Sequence, residues 1–315
     1  MSEIRIVFMG TPDFAVASLS SILEAGYNVV GVITAPDRPA GRGRKVQESA
    51  VKKFAKDKGL NLLQPTNLKD KSFLEDLEAL NPTIQVVVAF RMLPKAVWDL
   101  PKLGTFNLHA SLLPQYRGAA PINWAIINNE PKTGVSTFFL DEKIDTGAMI
   151  LQKEVNIDTE ETVGELHDKL MDLGAHLVVE TLTLIEKGNI TPTPQPLNLV
   201  LKEAPKLTKE NTKINWNDSL DQIYNLIRGL NPYPAAWCYF FNGKKDEKVK
   251  IYQCKKENYD HNLENGSILI EDKKLKVAVK DGYLIIEELQ LPGKRKMDVK
   301  SLLNGYVFLN EAKFF

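Results

Sequence analysis

The first half of the chain alternates short apolar runs with longer amphipathic stretches. Ile4–Met9 and residues 28–33, 60–63 and 84–89 are mostly apolar and are bounded by glycine, proline or polar residues. Buried parallel strands read this way. Between them, Phe73, Leu74, Leu77 and Leu80 recur at helical spacing. Strand, helix and strand within about thirty residues form a βαβ unit with a right-handed crossover. Residues 121–128 predict a short helix, and 133–139 and 148–155 two more strands. Thr162-x-x-Glu165 is a capping box that opens a long helix to about Lys187. Prolines 192, 194 and 196 then favour an extended connector. Beyond it, 212–216 reads as a strand and Asp218 as a helix cap, with Leu220, Ile223, Ile227 and Leu230 on one helical face. Short strands follow at 236–241, 248–255, 266–271, 274–279 and 283–290, punctuated by glycine turns. That spacing predicts a small β-barrel. The expected domains are 1–188, a proline-rich linker over 189–206, and 207–315.

Composition changes this picture little. At 315 residues, 43% apolar and 25% charged, the chain suits two ordinary globular domains. Forty basic and forty acidic residues cancel, so a nucleic-acid partner has to be argued from local patches. Cys238 and Cys254 fit no metal-ligand spacing and read as free thiols. The N-terminal Ser2-Glu-Ile-Arg-Ile-Val-Phe8 is charged, then strand-like, unlike a leader peptide, and no run approaches about twenty apolar residues. A soluble cytoplasmic protein is the expectation. His167 and His176 have no metal-type partner one helical turn away and read as ordinary surface or core residues.

Two stretches change the picture. In Thr105-Phe-Asn-Leu-His109, strand periodicity places Asn107 and His109 on one face and Phe106 and Leu108 on the other. Leu112, Leu113 and Pro114 end the strand, and Ser111 and Arg117 lie in the loop after it. A lone histidine at the end of a core strand is usually a packing residue. One that shares its face with an asparagine, before a loop carrying a hydroxyl and a guanidinium, fits a ligand site at a parallel strand end. The second stretch, residues 34–46, has two prolines and two glycines, which exclude regular structure, and carries Arg38, Arg42, Arg44 and Lys45. From 36 to 58 there are eight basic and three acidic residues. The lysines of the helix read as a solvated face, whereas loop arginines beside a strand end can neutralise phosphates. Lys294-Arg-Lys296 is a further candidate RNA contact, equally readable as a solvated turn.

Asn107-Leu-His-Ala-Ser-Leu-Leu-Pro114, followed by Tyr116-Arg-Gly-Ala-Ala-Pro-Ile122, resembles the signature of the 10-formyltetrahydrofolate-dependent formyltransferases. Within that family it most resembles the members that formylate methionyl-tRNA. Gly10-Thr-Pro-Asp-Phe14, Asp145-Thr-Gly147 and Arg228-Gly-Leu-Asn-Pro-Tyr-Pro-Ala-Ala-Trp237 extend the resemblance over nearly the whole chain. Phe90-Arg-Met-Leu-Pro94 departs from the family's Tyr-Gly-x-Ile-Leu-Pro pattern by one residue and by Arg91.

The resemblance implies an α/β fold. Its N-terminal part would be a Rossmann-like, mostly parallel sheet with helices on both faces, and its C-terminal part an oligonucleotide-binding (OB)-like β-barrel that contacts tRNA. It implies transfer of a formyl group from the co-substrate 10-formyltetrahydrofolate to initiator methionyl-tRNA for translation initiation, by a monomeric enzyme that needs no metal. Asn107, His109 and Asp145 would form the catalytic site, Asn107 donating to the developing oxyanion and Asp145 orienting His109. Ser111, Leu112, Leu113 and Pro114 would wall the folate site, with Arg91 near it. Phe14 would line the substrate cleft, and Arg38, Arg42, Arg44 and Lys45 would meet the tRNA acceptor end.

Overall fold

The structure is a computed structural model that describes residues 4–40, 45–196 and 199–315. By internal contacts the chain forms two compact units that are interleaved in sequence. The first comprises residues up to Gly118, then Thr133–Val155 and His167–Glu203. The second comprises Ala119–Lys132, Asn156–Leu166 and Ala204–Phe315.

A seven-stranded sheet forms the first unit, in the order Met149–Asn156, Lys132–Phe139, Thr105–His109, Ile84–Val88, Arg5–Gly10, Asn28–Ile33 and Leu62–Leu63. Pairing is parallel from Thr105–His109 through Ile84–Val88, Arg5–Gly10 and Asn28–Ile33 to Leu62–Leu63. Lys132–Phe139 then pairs antiparallel with Thr105–His109. Arg5–Gly10 and Ile84–Val88 are almost continuously buried, as the apolar runs require, whereas Asn28–Ile33 is buried only over its second half and Leu62–Leu63 is half-buried. Val7, Met9 and Val87 pack with Phe73 and Leu77 of the Lys71–Ala79 helix, which explains that helix's apolar spacing.

Several local expectations need correction. Residues 38–47 do contain regular structure, a short antiparallel pair of Arg38–Ala40 with Lys45–Gln47. Residues 212–216 make only an isolated bridge, Lys213 to Trp237, and no strand. Ser219, not Asp218, caps the Leu220–Leu230 helix, in a capping box with Gln222. Asp218 instead accepts from Asn215 at 2.8 Å. The proline-rich stretch up to Glu203 is tied to the first unit. Thr193 bridges Met149, and Lys202 donates its backbone N–H to Gln115 at 2.7 Å. The capping box of Thr162 and Glu165 forms as expected.

In the second unit the strands run Ile268–Glu271, Lys274–Val279, Gly282–Gln290, Glu247–Asn258, Ala236–Phe241 and Lys313–Phe314. A bridge between Ser267 and Lys313 brings the two edges together, so the sheet closes into a barrel-like form. The Leu220–Leu230 helix buries Leu220, Ile223, Ile227 and Leu230 against it. Gly229 lets the Pro121–Ile127 helix approach closely: a Cβ there would meet Ile127 at 2.7 Å. Arg228 is buried yet satisfied, donating to Asn225, Glu161, Asp158 and Asn129. Burial lowers its pKa, and the four acceptors are what make a buried guanidinium tolerable.

No helix among the described residues is long and apolar enough to cross a membrane. Cys238 and Cys254 are buried free thiols, and burial pushes both pKa values up.

Candidate active site

The Thr105–His109 strand lies between a parallel and an antiparallel neighbour, with Asn107 opposite Phe138 and His109 opposite Ser136. Asn107 is the half-buried position of an otherwise buried strand, and its amide has no hydrogen-bond partner among the described residues. His109 is 7% exposed. Its Nε2 lies 2.8 Å from the Tyr116 carbonyl oxygen. A carbonyl only accepts, so Nε2 carries the hydrogen and Nδ1 is the ring atom left to exchange a proton. Tyr116 holds that carbonyl in place from a left-handed backbone, φ 59°.

Nδ1 faces Asp145, whose Oδ2 is 3.8 Å away. The same oxygen accepts from the Gly118 backbone N–H at 2.9 Å. Asp145 also has a left-handed backbone, φ 55°. Backbone strain of this kind persists where the surroundings enforce it. Here the enforcement is visible in Gln195, a buried residue of the proline-rich stretch. Its Nε2 donates to the carbonyls of Asp145 and Gly147, both at 2.9 Å. Its Oε1 accepts two bonds from the Arg117 guanidinium, at 3.1 and 2.6 Å. One amide thus ties the turn carrying Asp145 to the loop that follows His109. Sequence reasoning missed Gln195. The only trace of it is an amide between two prolines in a segment read as a connector.

The loop after His109 is a framework. Ser111 donates to the Gln115 carbonyl at 2.7 Å, and the Ser111 carbonyl accepts from Ser136 at 2.6 Å. Ser136 Oγ accepts from Leu113 N–H and from Gln152, which also donates to the Leu113 carbonyl. The Leu113–Pro114 bond is cis. The Ser111 hydroxyl is therefore committed within the loop, and Leu113 and Pro114 are buried; Leu112 is half-buried.

Phe14, Arg38 and Arg91 take no part in this hydrogen-bond network. Phe14 is buried and packs edge-on against His167, ring centroids 5.3 Å apart. Arg91 donates to the carbonyls of Pro65 and Thr66 and sits over the Phe90 ring. Burial first, then the nearby Arg38 charge, lower its pKa. Arg38 is exposed on its short strand. Arg42 and Arg44 lie outside the described residues, and Lys45 is described only through its backbone. In the adjoining helix, Lys52 pairs with Asp37 and Glu48, and Lys56 with Glu48, as a structural charged face would. Among the described residues no group of three His, Cys, Asp or Glu is placed to hold a metal.

Replacing Gln195 with Leu leaves two buried carbonyls and the Arg117 guanidinium without their partner. We expect kcat to fall by about 10–100-fold through displacement of Asp145. Gln195→Glu keeps the Arg117 contact but cannot donate to the two carbonyls. Steady-state kinetics of both variants check this: a Glu variant as active as the parent would mean that the carbonyl bonds do not position Asp145.

The Formyl transferase family matches residues 4–182, and the Formyl transferase, C-terminal domain, matches 206–307. A methionyl-tRNA formyltransferase of Flavobacterium johnsoniae is 58% identical over 315 residues, covering 100% of both chains. That of Bacteroides fragilis is 52% identical, covering 98% of this chain and 97% of its own. Among solved structures, HypX from Aquifex aeolicus in complex with tetrahydrofolic acid has TM-score 0.65 at 18% identity, over 96% of this chain and 47% of its own. WlaRD, a sugar 3N-formyl transferase solved with dTDP and 5-N-formyl-THF, has TM-score 0.64 at 22% identity, over 94% of this chain and 100% of its own. These structural likenesses establish a shared fold, and the sequence matches establish more: this chain belongs to the formyl transferase family, among its methionyl-tRNA formyltransferases.

Proposed function

We propose that this protein moves the formyl group of 10-formyltetrahydrofolate to the α-amine of methionine esterified to initiator tRNA, using Asn107, His109 and Asp145. The observation that carries the reading is the juxtaposition of His109 Nδ1 with Asp145 beside an unpartnered Asn107 on the same strand face. Full-length identity to methionyl-tRNA formyltransferases favours this acceptor over an amino sugar, because the sugar enzymes are similar in fold alone. The reading also places the protein in the cytoplasm, where initiator tRNA is charged.

The chemistry asks two things of the protein. As the amine attacks, the formyl oxygen gains negative charge and needs a donor; the Asn107 amide supplies one. The amine must also lose a proton as its C–N bond forms. With Nε2 held by the Tyr116 carbonyl, Nδ1 is the ring position that takes this proton, and the Asp145 carboxylate stabilises the imidazolium. The 3.8 Å separation is wider than a hydrogen bond, so Asp145 acts on the imidazole by its charge. Breaking the bond from the formyl carbon to folate N10 completes the transfer, and the proton returns to that nitrogen. None of these steps calls on a metal.

The basic segment at Arg38, Arg42, Arg44 and Lys45 would hold the acceptor end of the tRNA, and the barrel would bind its body. Ser111, Leu112, Leu113 and Pro114 would wall the folate site through backbone and apolar surface, since the serine hydroxyl is committed. Arg91 would shape that wall by holding residues 65–66. On this reading residues 1–188 carry catalysis and 207–315 tRNA binding.

Asn107→Ala tests the oxyanion role. It should lower kcat by about 10²–10³-fold with little change in KM for methionyl-tRNA. A variant with parental kcat would remove Asn107 from the mechanism.

A further inference from the structure

The hydrogen on His109 Nε2 has a rival position. Asp145 stands on the Nδ1 side of the ring, and a carboxylate is a stronger acceptor than a carbonyl. A hydrogen on Nδ1 would face that carboxylate and leave Nδ1 unable to take the amine proton. Where a histidine base sits in the wrong tautomer, the cost reaches about 10⁴-fold in kcat. The Tyr116 carbonyl, 2.8 Å from Nε2, is what keeps the hydrogen on the far nitrogen. Its place depends on a backbone that a tyrosine rarely adopts, with φ 59°, and that its surroundings must enforce.

The enforcement comes from a distant part of the chain. Tyr116 donates its N–H to the Lys202 carbonyl at 2.6 Å. Lys202 ends a surface strap, residues 199–202, that has no regular secondary structure. Leu199 and Leu201 are exposed and Val200 is 93% exposed, so burial of these side chains does not fasten the strap. The side chain of Gln115 does. Its Nε2 donates to the Val200 carbonyl at 3.1 Å, and its Oε1 accepts from the Lys202 N–H at 2.7 Å. One amide thus pairs with the strap as a neighbouring strand would, using both its donor and its acceptor. Gln115 is itself fixed: its carbonyl accepts from Ser111 at 2.7 Å, and its N–H donates to the Leu112 carbonyl at 3.1 Å. The contacts therefore run from Gln115 to the strap, from the strap to the Tyr116 N–H, and from the Tyr116 carbonyl to His109. Gln195 acts separately, on the Asp145 turn and on Arg117.

We infer that Gln115 is a positioning residue: by fastening residues 200–202 it holds the Tyr116 carbonyl on His109 Nε2, and so keeps Nδ1 free to act as the base. This rests on the reading of His109 as the base in formyl transfer. Gln115 acts through Tyr116 and not on the substrate, so its loss should lower kcat and leave KM for methionyl-tRNA near the parental value.

The test reads the ring directly. Nitrogen NMR of the full chain with labelled histidine, at a pH where the imidazole is neutral, should show His109 in the parent with its hydrogen on Nε2; the His109→Ala spectrum assigns the signals. Gln115→Leu removes both bonds to the strap. It should move part of the population to the Nδ1–H form and lower kcat for formyl transfer by about tenfold, as the competent fraction falls. Gln115→Glu keeps the acceptor for the Lys202 N–H and should recover most of that loss, with kcat within about threefold of the parent. Gln115 is half-buried and its two bonds lie at the surface, so both variants should fold, which thermal melts check. A Gln115→Leu protein with the parental tautomer would overturn the inference. So would an equal loss in Leu199→Ser, which changes the surface of the strap and none of these bonds. Absence of formyl transfer by the unaltered protein would discard the proposed reaction, while the tautomer readings would still decide what Gln115 does.

Discussion

His109→Ala should lower kcat for formyl transfer by about 10²–10⁴-fold, the range for losing a positioned acid–base group. The alanine removes the one ring atom able to take the amine proton and leaves Asp145 facing empty space. It also leaves the Tyr116 carbonyl without its donor, at a cost of about 1–3 kcal/mol unless water enters. The variant should therefore fold with a modestly lower Tm. Asp145→Asn separates charge from geometry. Asparagine tolerates the left-handed backbone at φ 55° and can still accept from the Gly118 N–H, so the turn should survive. Its neutral amide no longer stabilises an imidazolium. Activity should fall while thermal unfolding stays close to the parent. Single-turnover transfer measured beside thermal melts checks both. A His109→Ala enzyme that turns over at the parental rate would exclude the assigned site.

Gly147→Ala should unfold the site, and much of the sheet edge with it. A Cβ on residue 147 would lie 1.7 Å from the Phe139 carbonyl oxygen, a backbone atom at the end of a paired strand. Neither side can yield without moving the Asp145 turn. The Gly147 carbonyl is itself held by Gln195, so the displacement would reach Asp145 through two connections. We expect a loss of more than about 3 kcal/mol, beyond ordinary overpacking because the obstacle is backbone. Chemical denaturation and residual activity should fall together. A Gly147→Ala protein with parental stability would contradict this close approach.

How far these features could be read in the sequence depended on their range. Period-two alternation placed Asn107 and His109 on one face because strand geometry is local. The apolar runs marked the parallel strands because burial on both faces demands them. Neither signal reaches across the chain. Asp145 came to His109 through family resemblance, and Gln195 was hidden because its partners lie about fifty and eighty residues away in sequence. The proline run around Gln195 reads as a spacer, yet its backbone docks on Met149 and Gln115. The strand expected at 212–216 is reduced to a single bridge, in which the Thr212 carbonyl and the Ile214 N–H bond the backbone of Trp237. The short pair at 38–47 formed although prolines and glycines argued against it, since two three-residue strands tolerate an edge proline.

The most direct test of the central claim is formyl transfer from 10-formyltetrahydrofolate by the purified protein, with methionyl-tRNA and a nucleotide-linked amino sugar offered as separate acceptors. The account predicts N-formylmethionyl-tRNA, formed rapidly by the parent and lost in His109→Ala, with no product from the sugar. Transfer to the amino sugar with none to methionyl-tRNA would contradict it.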